Sequence, residues 1–145
     1  MSTVNQNIIA KIIANMLTIS IANGFSFNIS GHVFEWRETP LGNSEYPAII
    51  VRDPAHRLFN ENDDVAENEL DVEIVLLPEP DNESPEDLRN KKQDVMNAFK
   101  LIENETYVAG AQYVDSETQV EHENKKMAGS LMRFKVSYAT DRWNL

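Results

Sequence analysis

Seven carboxylates lie between Glu61 and Glu73 with no base among them: Glu61, Asp63, Asp64, Glu67, Glu69, Asp71 and Glu73. Acids at this density are the raw material of a divalent-cation site, and the segment can be held against the twelve-residue calcium loop. Read from Asn60, the first ligand positions fall on Asn60, Asn62 and Asp64. The sharp turn that follows requires glycine, where the chain has Val65. The closing bidentate position requires glutamate, where the chain has Asp71. The segment therefore reads as a solvated acidic loop with no resident metal.

Other chemistry is equally poorly supplied. The three histidines, His32, His56 and His122, fall on different expected elements, and no two have the i, i+4 spacing of a metalloprotease helix. His122, between Glu121 and Glu123, reads as a solvated strand end. The five glycines are scattered, so there is no phosphate-cradling loop, and no serine sits in a Gly-x-Ser-x-Gly elbow. The absence of cysteine removes disulfides, thiolate zinc sites and cysteine nucleophiles. No catalytic residue and no cofactor are expected; a small enzyme with an unfamiliar site would reveal itself through loss of activity at Asp53, His56 or Asp64. Trp36, Trp143, Tyr46 and Tyr138 read as core and edge aromatics rather than a base-stacking platform. Trp143, in a polar tail, has two readings: an anchor for a protein contact, or a side chain that packs back on the domain.

The rest of the chain has to position these groups. At 145 residues, with 41% hydrophobic and 26% charged, it is expected to form one globular α+β domain spanning 1–145. Twenty-four acids against 13 bases give a net charge of −11, which disfavours free nucleic acid and acidic membrane surfaces as ligands and favours proteins as partners. The apolar stretch Ile8–Ala22 is interrupted by Lys11, Asn15, Thr18 and Ser20, so neither a signal peptide nor a membrane span is expected. The sequons at Asn28, Asn82 and Asn104 carry no weight in a chain not expected to meet a glycosylation machinery.

The spacing of Ile8, Ile9, Ile12, Ile13, Met16 and Ile19 predicts a helix over 4–22, stopped at Asn23-Gly24. Alternation at Phe25, Phe27 and Ile29 predicts a half-buried strand that bends near Gly31. A short strand over Tyr46–Arg52 should end at Asp53-Pro54, with a mobile polar loop over 55–68. Leu70, Val72, Ile74 and Leu76 predict a third strand, and Ser84-Pro85-Glu86-Asp87 opens a helix whose buried stripe is Leu88, Val95, Met96, Phe99 and Ile102. Two strands close the chain, one over 107–122 and one over 131–140. They pair as an antiparallel hairpin, with Met132, Phe134, Val136 and Tyr138 facing one way and Arg133 and Lys135 the other. The order is α-β-β-β-α-β-β: a mostly antiparallel sheet with two helices packed on one face.

That plan resembles the tail terminator proteins of long-tailed bacteriophages, the minor tail protein U type, with the related tail-completion and head–tail joining proteins. The likeness is carried by the Ile8–Ile19 stripe, by Glu45-Tyr46-Pro47-Ala48-Ile49-Ile50-Val51, by Leu70-Asp71-Val72-Glu73-Ile74, by the helix around Leu88–Phe99 and by Phe134-Lys135-Val136-Ser137-Tyr138-Ala139-Thr140. It covers nearly the whole chain as organisation, and no single motif is diagnostic. The resemblance implies a non-enzymatic virion protein that forms a homo-oligomeric ring, usually of six. It would cap the tail tube, stop its polymerisation and meet the head completion or connector protein. Duplex DNA would pass through without being bound, no membrane would be involved, and the protein would reside in the tail after assembly in the host cytoplasm. Glu61, Asp63, Asp64, Glu67 and Glu69 would then line the channel or a subunit interface, and Arg133 and Lys135 would meet the acidic segment of the next subunit. The competing reading is an acidic DNA-mimic inhibitor or immunity-type protein bound one-to-one to a basic partner.

Overall fold

A computed structural model describes the backbone of residues 3–62, 64–79, 83–121 and 126–145. Helix α1 (Val4–Leu17) starts from a capping box: Thr3 Oγ1 accepts from the Gln6 backbone N–H, and the Gln6 side chain accepts from the Thr3 N–H, both at 3.1 Å. The helix is shorter than its apolar spacing predicts. Thr18 turns its hydroxyl onto the Asn15 carbonyl, Ser20 is extended, and a 3-10 turn, Ile21–Asn23, follows. Gly24 does take the left-handed conformation at φ 90°, but it closes that short turn rather than α1.

Of the strand expected over 25–37, only a part beyond Gly31 forms. Phe27 and Ile29 are buried as the alternation suggests, yet they sit in irregular chain, and strand β1 is only Val33–Glu35. Apolar side chains can be buried without a ladder when neighbouring groups satisfy the backbone. Here Ile29 N–H donates to the Ile19 carbonyl, and Ser26 N–H donates to the Asp94 carboxylate.

The larger correction concerns 55–68. Strand β2 runs Ala48–Glu61 and β3 runs Val65–Leu77, so the segment expected as a mobile loop is the upper part of a long antiparallel hairpin. Asp53-Pro54 does not stop the strand. It forms a bulge, where the register steps from Arg52↔Glu73 to Ala55↔Asp71 and the extra residue leaves the ladder. The turn is closed by the Asn62 side chain, which accepts from the Asp64 and Val65 N–H groups at 2.9 and 2.8 Å.

Helix α2 (Pro85–Lys100) begins as its sequence predicts, with Ser84 capping the Asp87 N–H and Pro85 in the first turn. Strands β4 (Gly110–Glu121) and β5 (Lys126–Asp141) pair antiparallel, as the closing hairpin should. The five-stranded sheet has the order β1-β2-β3-β5-β4, antiparallel except for the short parallel β1–β2 pair. One face is buried: Leu70, Val72, Ile74 and Leu76 of β3 and Met132, Phe134, Val136 and Tyr138 of β5 pack in one core with Ile8, Ile12 and Met16 of α1 and Leu88, Val95 and Phe99 of α2. Each such side chain contributes roughly 1.5–3 kcal/mol on leaving water. The α-β-β-β-α-β-β order and the α+β class read from the sequence are those of the structure.

Candidate assembly surfaces

The alternation that buries one face of the sheet puts charge on the other. Glu69, Asp71 and Glu73 of β3 lie between Arg57 and Arg52 of β2 and Lys135 and Arg133 of β5. The side chains interlock. Arg57 bonds both Glu69 and Asp71, at 2.9 and 2.6 Å, and Lys135 reaches Glu69 at 3.3 Å. Arg52 meets Glu73 at 3.3 Å, and Arg133 meets Asp115 at 2.8 Å and Glu117 at 3.7 Å. The Arg57 hydrogen bond, followed by the influence of Lys135, holds the Glu69 carboxyl below its ordinary value. The centre of this face is a charge lattice of one chain, bordered by the apolar row Ile50, Val75 and Leu131.

Three of the acids expected to act together are thus separated. Glu69 belongs to the lattice, Glu67 accepts from the Asn60 side chain at 3.1 Å, and Glu61 pairs with Arg142 at 3.0 Å. Asp64 is exposed at the hairpin turn, and Asp63 lies outside the described residues. Arg133 and Lys135 do meet the acidic segment, but the pairing occurs inside one chain. The groups named for an enzyme site are dispersed as well. Asp53 accepts from the Trp36 indole at 2.6 Å, the His56 ring is bonded to the Asn68 side chain at 2.9 Å, and Asp64 stands roughly 20 Å along the hairpin from His56. Among the described residues, no group of three or more His, Asp or Glu is arranged to hold a metal ion. Among the described residues, no helix is long and apolar enough to cross a membrane.

Two features stand out as surfaces for another protein. At the hairpin end of the sheet, Leu58, Phe59 and Val65 are exposed beside the C-terminal tail, where Trp143 is 90% exposed. The tail is held in place. Thr140 Oγ1 donates to the Asn144 carbonyl, Asn144 N–H donates to the Asp141 carbonyl, Val4 N–H donates to the Leu145 carbonyl, and Trp143 takes a left-handed φ of 66°. The Arg142 guanidinium lies 5.8 Å from the indole centroid. The sequence marked Trp143, while Leu58 and Phe59 were hidden within a stretch read as polar loop.

The second feature is a groove of about 340 Å³ between α2 and β4. Its floor is aromatic: Phe99 stacks on Phe134 with centroids 3.9 Å apart, and Tyr113 meets Phe134 edge-on at 5.5 Å. Its rim is polar, with Gln93, Asn97, Lys100 and Glu103. No sequence signal announced it, because its walls come from segments that only the fold brings together. No protein-family model matches the chain, and no curated protein is significantly similar to it in sequence.

Proposed function

We propose that this chain is a structural protein of a phage or prophage virion, a tail terminator that assembles as a ring on the last ring of the tail tube. The ring stops tube polymerisation and presents the surface to which the head completion protein binds. The observation that carries the reading is the apolar end of the sheet. Leu58, Phe59 and Val65, at the end of the β2–β3 hairpin, are exposed large hydrophobic side chains, as is Trp143, in the tail that meets that end through Arg142 and Glu61. An exposed, fixed Trp is the residue type that anchors protein contacts. A contact surface at one end of a subunit, answered by a different surface elsewhere, is heterologous, and heterologous contacts whose rotation closes form rings. Capping requires matched interfaces and no bond chemistry, and Asp53, His56 and Asp64 stand apart from one another. A net charge of −11 would keep passing duplex DNA from adhering to the wall.

The competing reading, an inhibitor that imitates DNA, needs acids free to meet a basic cleft. Glu69, Asp71 and Glu73 are instead satisfied by bases of their own chain, which favours the assembly reading. The test is to add the purified protein to polymerising tail-tube protein of the same phage genome. Shorter tubes with a distinct terminal ring are expected; an unchanged tube-length distribution would rule the function out.

A further inference from the structure

The indole of Trp143 and the groove between α2 and β4 are complementary in shape, polarity and charge, and one chain cannot bring them together. Phe134, on the groove floor, and Asp141, at the base of the tail, are seven residues apart on the same strand, roughly 23 Å. The tail is pinned at its own end of the sheet by the bonds of Asn144 and Leu145. The groove has the volume for an indole, and the exposed ring of Tyr113 stands on its wall beside the buried Phe99–Phe134 pair. An indole carries one N–H donor, and the rim offers side-chain oxygens at Gln93, Asn97 and Glu103. Charge is complementary as well: Asp141 stands at the base of the tail, and Lys100 lies on the groove rim.

We propose that Trp143 of one copy of this chain inserts into the α2–β4 groove of the next, forming the repeating contact between subunits. The inference rests on the ring-forming reading and assigns its interface. The two halves lie on different parts of the molecule, so an open chain of copies keeps one free indole at one end and one free groove at the other until a ring closes. A fixed, exposed aromatic seated in a pocket is the arrangement that carries most of an interface's energy.

The test is sedimentation velocity on the full chain over a concentration series, with Trp143→Ala and Asn97→Arg as variants. Trp143 is exposed and Asn97 lies on the outer surface of α2, so both variants should keep the wild-type circular dichroism spectrum. Wild-type protein is expected to assemble as concentration rises. Each variant alone should remain monomeric over that range, its self-association weakened roughly thirtyfold or more. An equimolar mixture should form dimers and nothing larger, because the groove left intact by Trp143→Ala receives the indole left intact by Asn97→Arg. Wild-type protein that stays monomeric, a Trp143→Ala variant that assembles normally, or a mixture without dimers would each overturn the proposal. Capping of tail tubes by a Trp143→Ala variant would reject this interface while leaving the capping function standing.

Discussion

Lys135 lies directly opposite Asp71 in the β3–β5 register, yet its ammonium group reaches the diagonal neighbour Glu69, at 3.3 Å. The exchange is possible because Arg57, opposite Glu69 on the other side of β3, forks to hold both Glu69 and Asp71. Two bases and two acids on three strands therefore act as one unit on the open face of the sheet.

That coupling is measurable. A double-mutant cycle with Glu69→Gln and Lys135→Met, followed by urea unfolding, should return a favourable interaction of roughly 0.5 kcal/mol, the scale of half-exposed pairs. The interaction should fall when salt is raised, since exposed pairs are screened.

Acid should remove a related contribution. Glu45 is held down to about 2, first by its hydrogen bond to Arg37 and then by the Gly42 N–H. A carboxylate depressed in the folded state stabilises it fully above the ordinary value of 4.5, and that stabilisation is lost as pH falls through the folded value. The difference in urea midpoint between wild type and Glu45→Gln should be constant from pH 7 to about 5 and shrink towards zero near pH 2. Using the difference cancels the general relief of acidic repulsion on titration.

Gly129 admits no side chain. Its φ is 156°, and a Cβ there would stand 2.5 Å from the Leu76 carbonyl oxygen across the β3–β5 ladder. Gly129→Ala should cost about 2–3 kcal/mol in thermal or urea unfolding, since backbone cannot give way as a side chain can.

A buried carboxylate ties helix α2 to the irregular segment after α1. Asp94 is 8% exposed and accepts both the Ser26 N–H and the Ser26 hydroxyl. Asp94→Ala leaves that N–H without its partner and should destabilise by about 1–3 kcal/mol, whereas Ser26→Ala, which keeps the backbone bond, should cost less.

How much of this was legible beforehand follows from what each signal reports. The element order was, because Ile8–Met16, Leu70–Leu76 and Met132–Tyr138 repeat at the periods of a helix and of strands. The hairpin above Arg52 was not. Its ladder is held by backbone bonds and by cross-strand groups such as His56–Asn68 and Arg57–Glu69, which composition reads as loop. Asp53-Pro54, ordinarily a stop signal, was absorbed into a bulge. Phe27 and Ile29 announced burial correctly and secondary structure wrongly, because alternation reports which side chains go inward and not how the backbone is satisfied. Of the surfaces, Trp143 was visible as an unusual residue in a polar tail. The groove that answers it was not, since Asn97, Tyr113 and Phe134 meet only in three dimensions.

The most direct measurement of the central claim is negative-stain electron microscopy of the purified protein at high concentration, with and without magnesium. Closed rings of uniform size, with a central hole wide enough for duplex DNA, are the result expected of a tail-capping ring. A field of single small particles at every concentration and in both buffers, matched by a monomer mass in solution, would contradict it.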